Sequence, residues 1–233
     1  SYSHDYNWHD VVHPFSNYNG NNICGLDTLA PCDDFGHGTR ILSVMISNDS
    51  NVSIAPEAKW IATRILGSAV GTVAMSIEGL EWNLAPTNTK NQRPDPSKAP
   101  DVVNNSWNCG GNPACSRFSY PVFNIAIDNL VSAGIFVVQS AGNDGSQYCG
   151  SIDNTPSTSE NAFTVGAMDG NDSLSYFSSI GPVTFDQSER LKPNLIAPGR
   201  EIPTYNKSSL IQFSLGTSVA APHVTASVAL LIS

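Results

Sequence analysis

The spacing of hydrophobic positions alternates between the periods of strands and helices along most of the chain. Five short apolar or β-branched runs predict strands, at 59–66, 101–106, 135–139, 162–167 and 195–197. Apolar side chains at helical spacing predict helices from Thr72 to Leu84 and from Val122 to Ala133, the second ended by Gly134. Strands that alternate with helices predict a parallel sheet with helices packed on its faces.

The length of the chain and the lack of a dividing linker predict a single domain. The 233 residues contain no internal repeat, and no stretch reads as a linker long enough to separate two cores. We therefore expect one α/β domain over residues 1–233. In parallel sheets, functional residues gather at the carboxyl ends of the strands, so the loops that follow the predicted strands are the place to look for chemistry.

The charge balance narrows the choice of partners. The chain has 20 acidic and 11 basic residues, which gives a formal net charge of −9. This is the wrong sign for a surface that binds phosphates, so nucleic acid is not an expected partner. No apolar run approaches the ~20 residues needed to cross a bilayer, so a membrane is not an expected partner either.

Cysteine usage favours an oxidising compartment. Five cysteines are present, at positions 24, 32, 109, 115 and 149. Their spacing lacks the CxxC pairs of a zinc site and predicts two short disulfide loops, Cys24–Cys32 and Cys109–Cys115, with the role of Cys149 left open. Disulfides persist outside the cytosol, so we expect a secreted or otherwise extracytoplasmic protein.

The first candidate loop, DDFGHGTRILSVMIS, contains a histidine between two glycines. An apolar helical pattern begins at Ile41, so His37 is predicted on the opening turn of a helix. Gly36 and Gly38 carry no side chains that would obstruct the approach of a ligand, and a histidine that only packs in a core has no need of such clearance. His37 is a candidate catalytic residue, with core packing as the alternative.

The second candidate loop, QSAGNDG, follows directly on the strand predicted at 135–139. Asn, Asp and Gly are common turn formers, so an ordinary turn explains the loop when it is considered alone. The functional alternative is that the amide of Asn143 is a fixed hydrogen-bond donor beyond a strand end, where it would stabilise a developing oxyanion.

The third candidate, GTSVAAPHV, places a serine where a helix is predicted to begin. The backbone N–H of Ser218 is then one of the four that a helix leaves unpaired, and the positive end of the helix dipole points at it. A serine at this position also serves as an ordinary N-cap. Ala220 and Ala221 keep the surroundings narrow, and Pro222 is tolerated in the first turn.

Considered together, the three loops resemble one family. GHGT (36–39), SAGN (140–143) and GTSVAAPH (216–223) occur in this order, accompanied by FSSIGP (177–182) and LKPNLIAPG (191–199). These motifs resemble those of the subtilisin-like serine peptidases, and the resemblance covers nearly the whole chain. It implies a mostly parallel central sheet with helices on both faces, in three layers, and the hydrolysis of peptide bonds in polypeptide substrates.

The resemblance assigns roles to residues in the three loops. It implies that Ser218 is the nucleophile, that His37 is the general base, and that Asn143 stabilises the oxyanion beside the Ser218 N–H. It also implies that a peptide substrate lies as an extra strand beside residues 105–108, with Ala141 and Gly142 as one wall of the primary pocket. The implied substrate-binding residues are Ser106, Trp107, Asn108, Ala141 and Gly142.

Two positions in these motifs depart from the pattern of the family. Asn108 stands where a glycine is expected, so that a side chain occupies space at the entrance of the implied primary pocket. Leu215 stands where a serine commonly precedes GTS, and we expect this change to be harmless.

The aspartate that a subtilisin-like site needs to orient its histidine is not found. In the family this residue ends an apolar strand thirty or more residues before the histidine. None of the aspartates that precede His37 follows a strand-like apolar run; these are Asp5, Asp10, Asp27, Asp33 and Asp34. We expect a domain truncated at its N-terminus, with the aspartate supplied by upstream sequence and this fragment near-inactive alone. The alternative is a non-catalytic homologue that binds peptides without cutting them.

A zinc peptidase is a minor alternative. His9 and His13 imitate the spacing of H-E-x-x-H, in which two histidines on one helical face bind a metal. Pro14 would end such a helix at once, and no third ligand is evident. We expect no required cofactor and no catalytic metal; the family resemblance makes structural calcium possible, without a loop that identifies its ligands. We expect a monomer.

Overall fold

Strands and helices alternate along the parts of the chain that the computed structural model describes, which are residues 3–14, 22–109, 119–145 and 148–233. The strands are β1 (Trp8–Asp10), β2 (Ala62–Arg64), β3 (Val102–Asn105), β4 (Phe136–Ser140), β5 (Phe163–Met168), β6 (Leu195–Pro198), β7 (Ile202–Tyr205) and β8 (Ile211–Ser214). The α-helices are α1 (His37–Ile46), α2 (Val73–Trp82), α3 (Tyr120–Ser132) and α4 (Thr217–Ile232), with a 3-10 turn at Pro96–Lys98.

The central sheet is parallel, as the alternating pattern predicts. Its order is β3-β4-β5-β6, and all three pairings are parallel. The register aligns Asn105 at the end of β3 with Gln139 in β4. Segments 106–108 and 140–143 therefore leave the sheet side by side at its carboxyl edge.

Helices cover both faces of this sheet. On one face α4 packs against β3, β4, β5 and β6 and also against α1. On the other face α3 packs against β4 and α2. Alternate residues of β4 point to opposite faces, so Val137 joins a core with Phe123 and Leu130 of α3, whereas Val138 joins one with Ala220 of α4. The result is the predicted three-layer α/β architecture.

The pair β1–β2 lies apart from the central sheet. β1 and β2 pair with each other in parallel, and among the described residues no strand pairs with the second edge of β2 or with the outer edge of β3. A cavity of about 530 Å³ lies between these two edges. It is lined by residues of β2, β3, α2 and α4 and by residues of α1, among them His37. We call this cavity the inter-sheet slot.

Four strands differ from the prediction. Strand β1 was not predicted, because it contains only three residues and two of them are polar. The antiparallel hairpin β7–β8 was not predicted either, since it follows β6 without an apolar run of its own. Strand β2 is shorter than the run predicted at 59–66.

The state of the described cysteines agrees with the disulfides predicted from the sequence. Cys24 and Cys32 form the predicted disulfide, with Cα atoms 5.8 Å apart. Cys109 is also disulfide-bonded, but Cys115 lies outside the described residues. Cys149 is a free, exposed thiol. Over the described residues, the length and hydropathy of every helix fall short of those of a transmembrane span.

Candidate active site

Ser218 lies in the first turn of α4, one residue past the start of the helix. The N-cap is Gly216, with φ of 135°, and no side chain caps the helix, so Ser218 is not the N-cap that the alternative interpretation required. In the part of the chain that the structure describes, no group accepts a hydrogen bond from the Ser218 N–H. The hydroxyl and the N–H of this half-buried serine are thus available to a ligand.

Asn143 is held at the start of α4 by its amide oxygen. Its Oδ1 accepts hydrogen bonds from the backbone N–H of Thr217 at 2.9 Å and from the Thr217 hydroxyl at 3.1 Å. A Cβ placed on Gly216 would lie 3.1 Å from Ser218 Oγ and 3.4 Å from Asn143 Nδ2. The hydroxyl and the amide donor therefore border the same small space, where a side chain on residue 216 would intrude.

Thr217 is a functional residue that the sequence reasoning missed. Besides its bonds to Asn143, its Oγ1 accepts a hydrogen bond from the backbone N–H of Gly142 at 3.1 Å. It thereby fastens the start of α4 to the loop after β4. The sequence shows that Thr217 directly precedes Ser218, but only the fold shows that its side chain contacts the loop after β4.

His37 is the first residue of α1, in agreement with the prediction of an opening helical turn. Asp33 fixes this turn: Oδ1 accepts from the Gly36 N–H at 2.5 Å, and Oδ2 accepts from the Thr39 N–H at 2.8 Å and from its hydroxyl at 2.7 Å. Burial raises the pKa of Asp33, but hydrogen bonds from Thr39, Gly36 and Phe35 outweigh burial and lower it overall. Asp33 is a positioning residue that sequence reasoning weighed only as a partner for the histidine.

The imidazole of His37 favours its neutral form. Burial lowers the pKa of His37, the positive charge of Arg40 lowers it further, and Asp33 opposes both, so that the pKa lies below its usual value. A neutral imidazole is the form that accepts a proton. The ring of His37 makes no hydrogen bond to Ser218 or to any other described residue.

None of the five candidate aspartates serves His37. Each carboxylate contacts another group: Asp5 contacts Thr89, Asp10 and Asp34 contact Arg64, Asp27 contacts His13, and Asp33 contacts Thr39. The pair between Asp10 and Arg64 is buried and well matched in geometry, at 2.8 Å. In the described ranges, none of these carboxylates hydrogen-bonds to the imidazole of His37, although the charge of Asp33 acts on it.

The residues predicted to bind substrate line the carboxyl edge of the sheet. Ser106 follows β3 and its hydroxyl donates to the Ser218 carbonyl at 2.7 Å, so the segment after β3 lies beside the start of α4. Trp107 packs against Phe123 of α3, at 5.8 Å between ring centroids. Ala141 and Gly142 follow β4 and are buried. Asn108 reaches across from the first segment to Gly142.

The zinc interpretation of His9 and His13 is wrong. His9 lies in strand β1 rather than on a helix, and His13 lies beyond the strand's end. The Nε2 atoms of both rings contact the same oxygen of Glu78, at 3.0 and 2.9 Å, and His13 Nδ1 contacts Asp27. Burial lowers the pKa of His13, but Glu78 and Asp27 more than compensate and raise it. In the described ranges no three His, Cys, Asp or Glu side chains are grouped for a metal.

A profile described as the subtilase family matches residues 13–233. The chain belongs to this family, a family of serine peptidases, and the expected fold is confirmed.

Its relatives include peptidases from bacteria and fungi. The chain is 34% identical over 233 residues to Bacillopeptidase F of Bacillus subtilis (strain 168), a match that covers 97% of this chain and 15% of that protein. It is 31% identical to Subtilase-type proteinase psp3 of Schizosaccharomyces pombe, over 86% of this chain and 39% of the relative. It is 29% identical to Subtilisin DY of Bacillus licheniformis, over 86% and 65%. The chain thus spans less than two thirds of each of these relatives.

Proposed function

We propose that this chain is the catalytic core of a serine endopeptidase in which Ser218, His37 and Asn143 act together. The observation that carries the proposal is the shared space beside Gly216, bordered by the Ser218 hydroxyl and by the Asn143 amide donor. A nucleophile and a fixed donor for the oxyanion must converge in this way to attack one carbonyl.

The proposed reaction proceeds through an acyl-enzyme. Ser218 Oγ attacks the scissile carbonyl carbon while His37 takes the hydroxyl proton. The oxygen of the tetrahedral intermediate gains a negative charge, which the Ser218 N–H and Asn143 Nδ2 stabilise. His37 then gives the proton to the leaving amine, and the C–N bond breaks to leave an ester on Ser218. Water, activated by His37, hydrolyses this ester in a second round. No step requires a cofactor.

The acidic partner of His37 is proposed to enter through the inter-sheet slot. Strands β2 and β3 each present to the slot an edge that pairs with no strand among the described residues. Helices cover the slot on both faces, and His37 lines it together with Asn105 and Ser106 at the carboxyl end of β3. An apolar strand parallel to β3 would pair with both edges and finish beside His37. An aspartate at the end of such a strand, supplied by sequence upstream of residue 1, completes the triad.

The proposed setting is extracytoplasmic, with polypeptides as substrates and the protein acting as a monomer. The Cys24–Cys32 disulfide supports this setting, since such bonds form and persist under oxidising conditions. Substrate is proposed to pair with the backbone of 105–108, which would tolerate varied sequences.

Hydrolysis of a quenched-fluorescent peptide mixture by the full-length protein tests the proposal. We expect internal cleavage that the Ser218→Ala variant lacks. Cleavage that survives this substitution would show that another site in the full-length protein is responsible.

Removing the oxyanion donor is expected to slow the reaction without weakening substrate binding. Asn143→Ala should lower kcat about 10²–10³-fold with little change in KM, a magnitude taken from subtilisin, a member of the same family. Thr217→Val removes one of the two bonds that orient the amide and should cost about three- to tenfold. Asn161→Ala, an exposed asparagine paired with Asp128, is the matched control. Equal losses in kcat for Asn143→Ala and for the control would contradict the assigned role.

The pH dependence of kcat/KM is expected to shift when the positive charge of Arg40 beside His37 is removed. The general base must be neutral, so kcat/KM falls as pH drops through the pKa of His37. Since the charge of Arg40 lowers this pKa, Arg40→Gln should move the acidic limb of the profile to higher pH. Arg93→Gln, which removes an exposed charge between α2 and β3, should leave the limb in place. A limb that stays fixed in both variants would mean that His37 is not the titrating base.

A second candidate function is peptide binding without cleavage. The observation that favours it is the absence of a carboxylate partner for His37 among the described residues. A full-length protein that binds peptides at 105–108 but leaves Ser218 unreactive towards a fluorophosphonate would support this function and contradict the first.

A further inference from the structure

We propose that Asn108 narrows the primary pocket, so that the protein prefers a small side chain, such as alanine or serine, directly before the scissile bond. The inference rests on the proposed function, because it names the substrate class of the same site.

Two segments form the opposite walls of this pocket. Strands β3 and β4 are parallel neighbours in register, so residues 106–108 and 140–142 leave the carboxyl edge of the sheet next to each other. The bond from Ser106 to the Ser218 carbonyl places the mouth of this gap beside the nucleophile. In the proposed mode of binding, the substrate side chain that precedes the reacting carbonyl enters between these two segments.

The carboxamide of Asn108 spans the gap. A Cβ built on Gly142 would lie 3.3 Å from Asn108 Nδ2, 3.2 Å from Asp144 Oδ2 and 2.9 Å from Ser179 Oγ. The side chains of Asn108, Asp144 and Ser179 thus converge on Gly142, and Asn108 belongs to the segment on the opposite side of the pocket. With glycine at position 108 the space that the carboxamide fills would be open.

Neither wall can easily move aside. The Trp107 carbonyl on one side of Asn108 accepts a hydrogen bond from the buried amide of Gln139, and the Cys109 N–H on the other side donates to the Thr155 carbonyl at 2.9 Å. Gly142 has φ of 107°, a conformation that favours glycine, and it is tied to Thr217. A large substrate side chain must therefore displace the Asn108 side chain rather than the backbone.

Kinetics of the full-length protein test this inference. Two peptide anilides that differ only in alanine or phenylalanine before the scissile bond are compared for the wild type, Asn108→Gly and the control Asn161→Gly. We expect the wild type to favour alanine, and Asn108→Gly to raise the phenylalanine-to-alanine ratio of kcat/KM about tenfold or more. The control should leave the ratio unchanged.

A binding measurement keeps the inference separate from catalysis. Product peptides that end in alanine or phenylalanine are titrated into full-length Ser218→Ala, with and without Asn108→Gly. A selective gain in affinity for phenylalanine supports the inference, even if the wild type proves unable to cleave peptides and the proposed hydrolysis fails. An unchanged ratio in both assays, or a wild type that prefers phenylalanine, overturns it.

Discussion

A form of the protein that extends upstream through an aspartate-ended strand is expected to hydrolyse peptides about 10⁴-fold faster than residues 1–233 alone. The size of the effect follows the loss of about 3 × 10⁴ in kcat when subtilisin loses its triad aspartate. The physical reason is that the carboxylate holds the imidazole in the tautomer that accepts the serine proton and stabilises the imidazolium that forms. Single-turnover kinetics on the two forms measure the difference.

An asparagine variant separates the charge from the fold. With asparagine in place of that aspartate, the strand would still fill the inter-sheet slot and stabilise the sheet, but the tautomer of His37 would be wrong. We expect this asparagine variant to have the thermal stability of the extended form but an activity as low as that of residues 1–233 alone. Full activity in residues 1–233 alone would show that the carboxylate lies within this chain.

Replacing Ser218 or His37 by alanine in the full-length protein is expected to lower kcat about 10⁶-fold in either case. The double variant should be no slower than the single ones, since the two side chains act as a unit and each is useless without the other. The remaining rate over water would come from Asn143, the Ser218 N–H and substrate binding. His4→Ala, a histidine distant in sequence from all three loops, is the control.

Additive losses would contradict this coupling. If the double variant lost the product of the two single effects, Ser218 and His37 would act independently, and the proton transfer between them would have to be abandoned.

Hydrophobic spacing was enough to predict the central sheet. Strands β3 to β6 are short apolar or β-branched runs, and α3 between β3 and β4 keeps a helical period, so the pattern follows from the packing of the sheet against helices on both faces. β1 carries no such signal because it has only three residues, two of them polar, although all three are buried. The hairpin β7–β8 carries none because its residues face partly to solvent. The H-D-V-V-H spacing behind the minor zinc alternative occurs here in a strand and the residues after it rather than in a helix.

The sequence predicted which residues belong to the candidate site, but not the contacts that hold them in place. His37, Asn143 and Ser218 stand at loop boundaries that the alternating pattern reveals. The supporting contacts of Thr217 and Asp33 join segments that only the fold brings together. The proposed narrowing of the primary pocket by Asn108 depends on the sequence and the structure together. The sequence shows an unexpected side chain at position 108, and the structure places its amide nitrogen next to Gly142. The inter-sheet slot could not be predicted, because the apolar pattern of β2 and β3 does not show which strand pairs with each of their edges.

The most direct measurement is covalent labelling of the full-length protein with a fluorophosphonate, followed by mass mapping of the modified residue. A serine that is activated by a base and faces oxyanion donors reacts with such a reagent, whereas an ordinary surface serine does not. We expect a single phosphonyl adduct on Ser218, lost in His37→Ala and weakened in Asn143→Ala. A folded protein that binds peptides but carries no label on Ser218 would contradict the proposed role of Ser218 as the nucleophile.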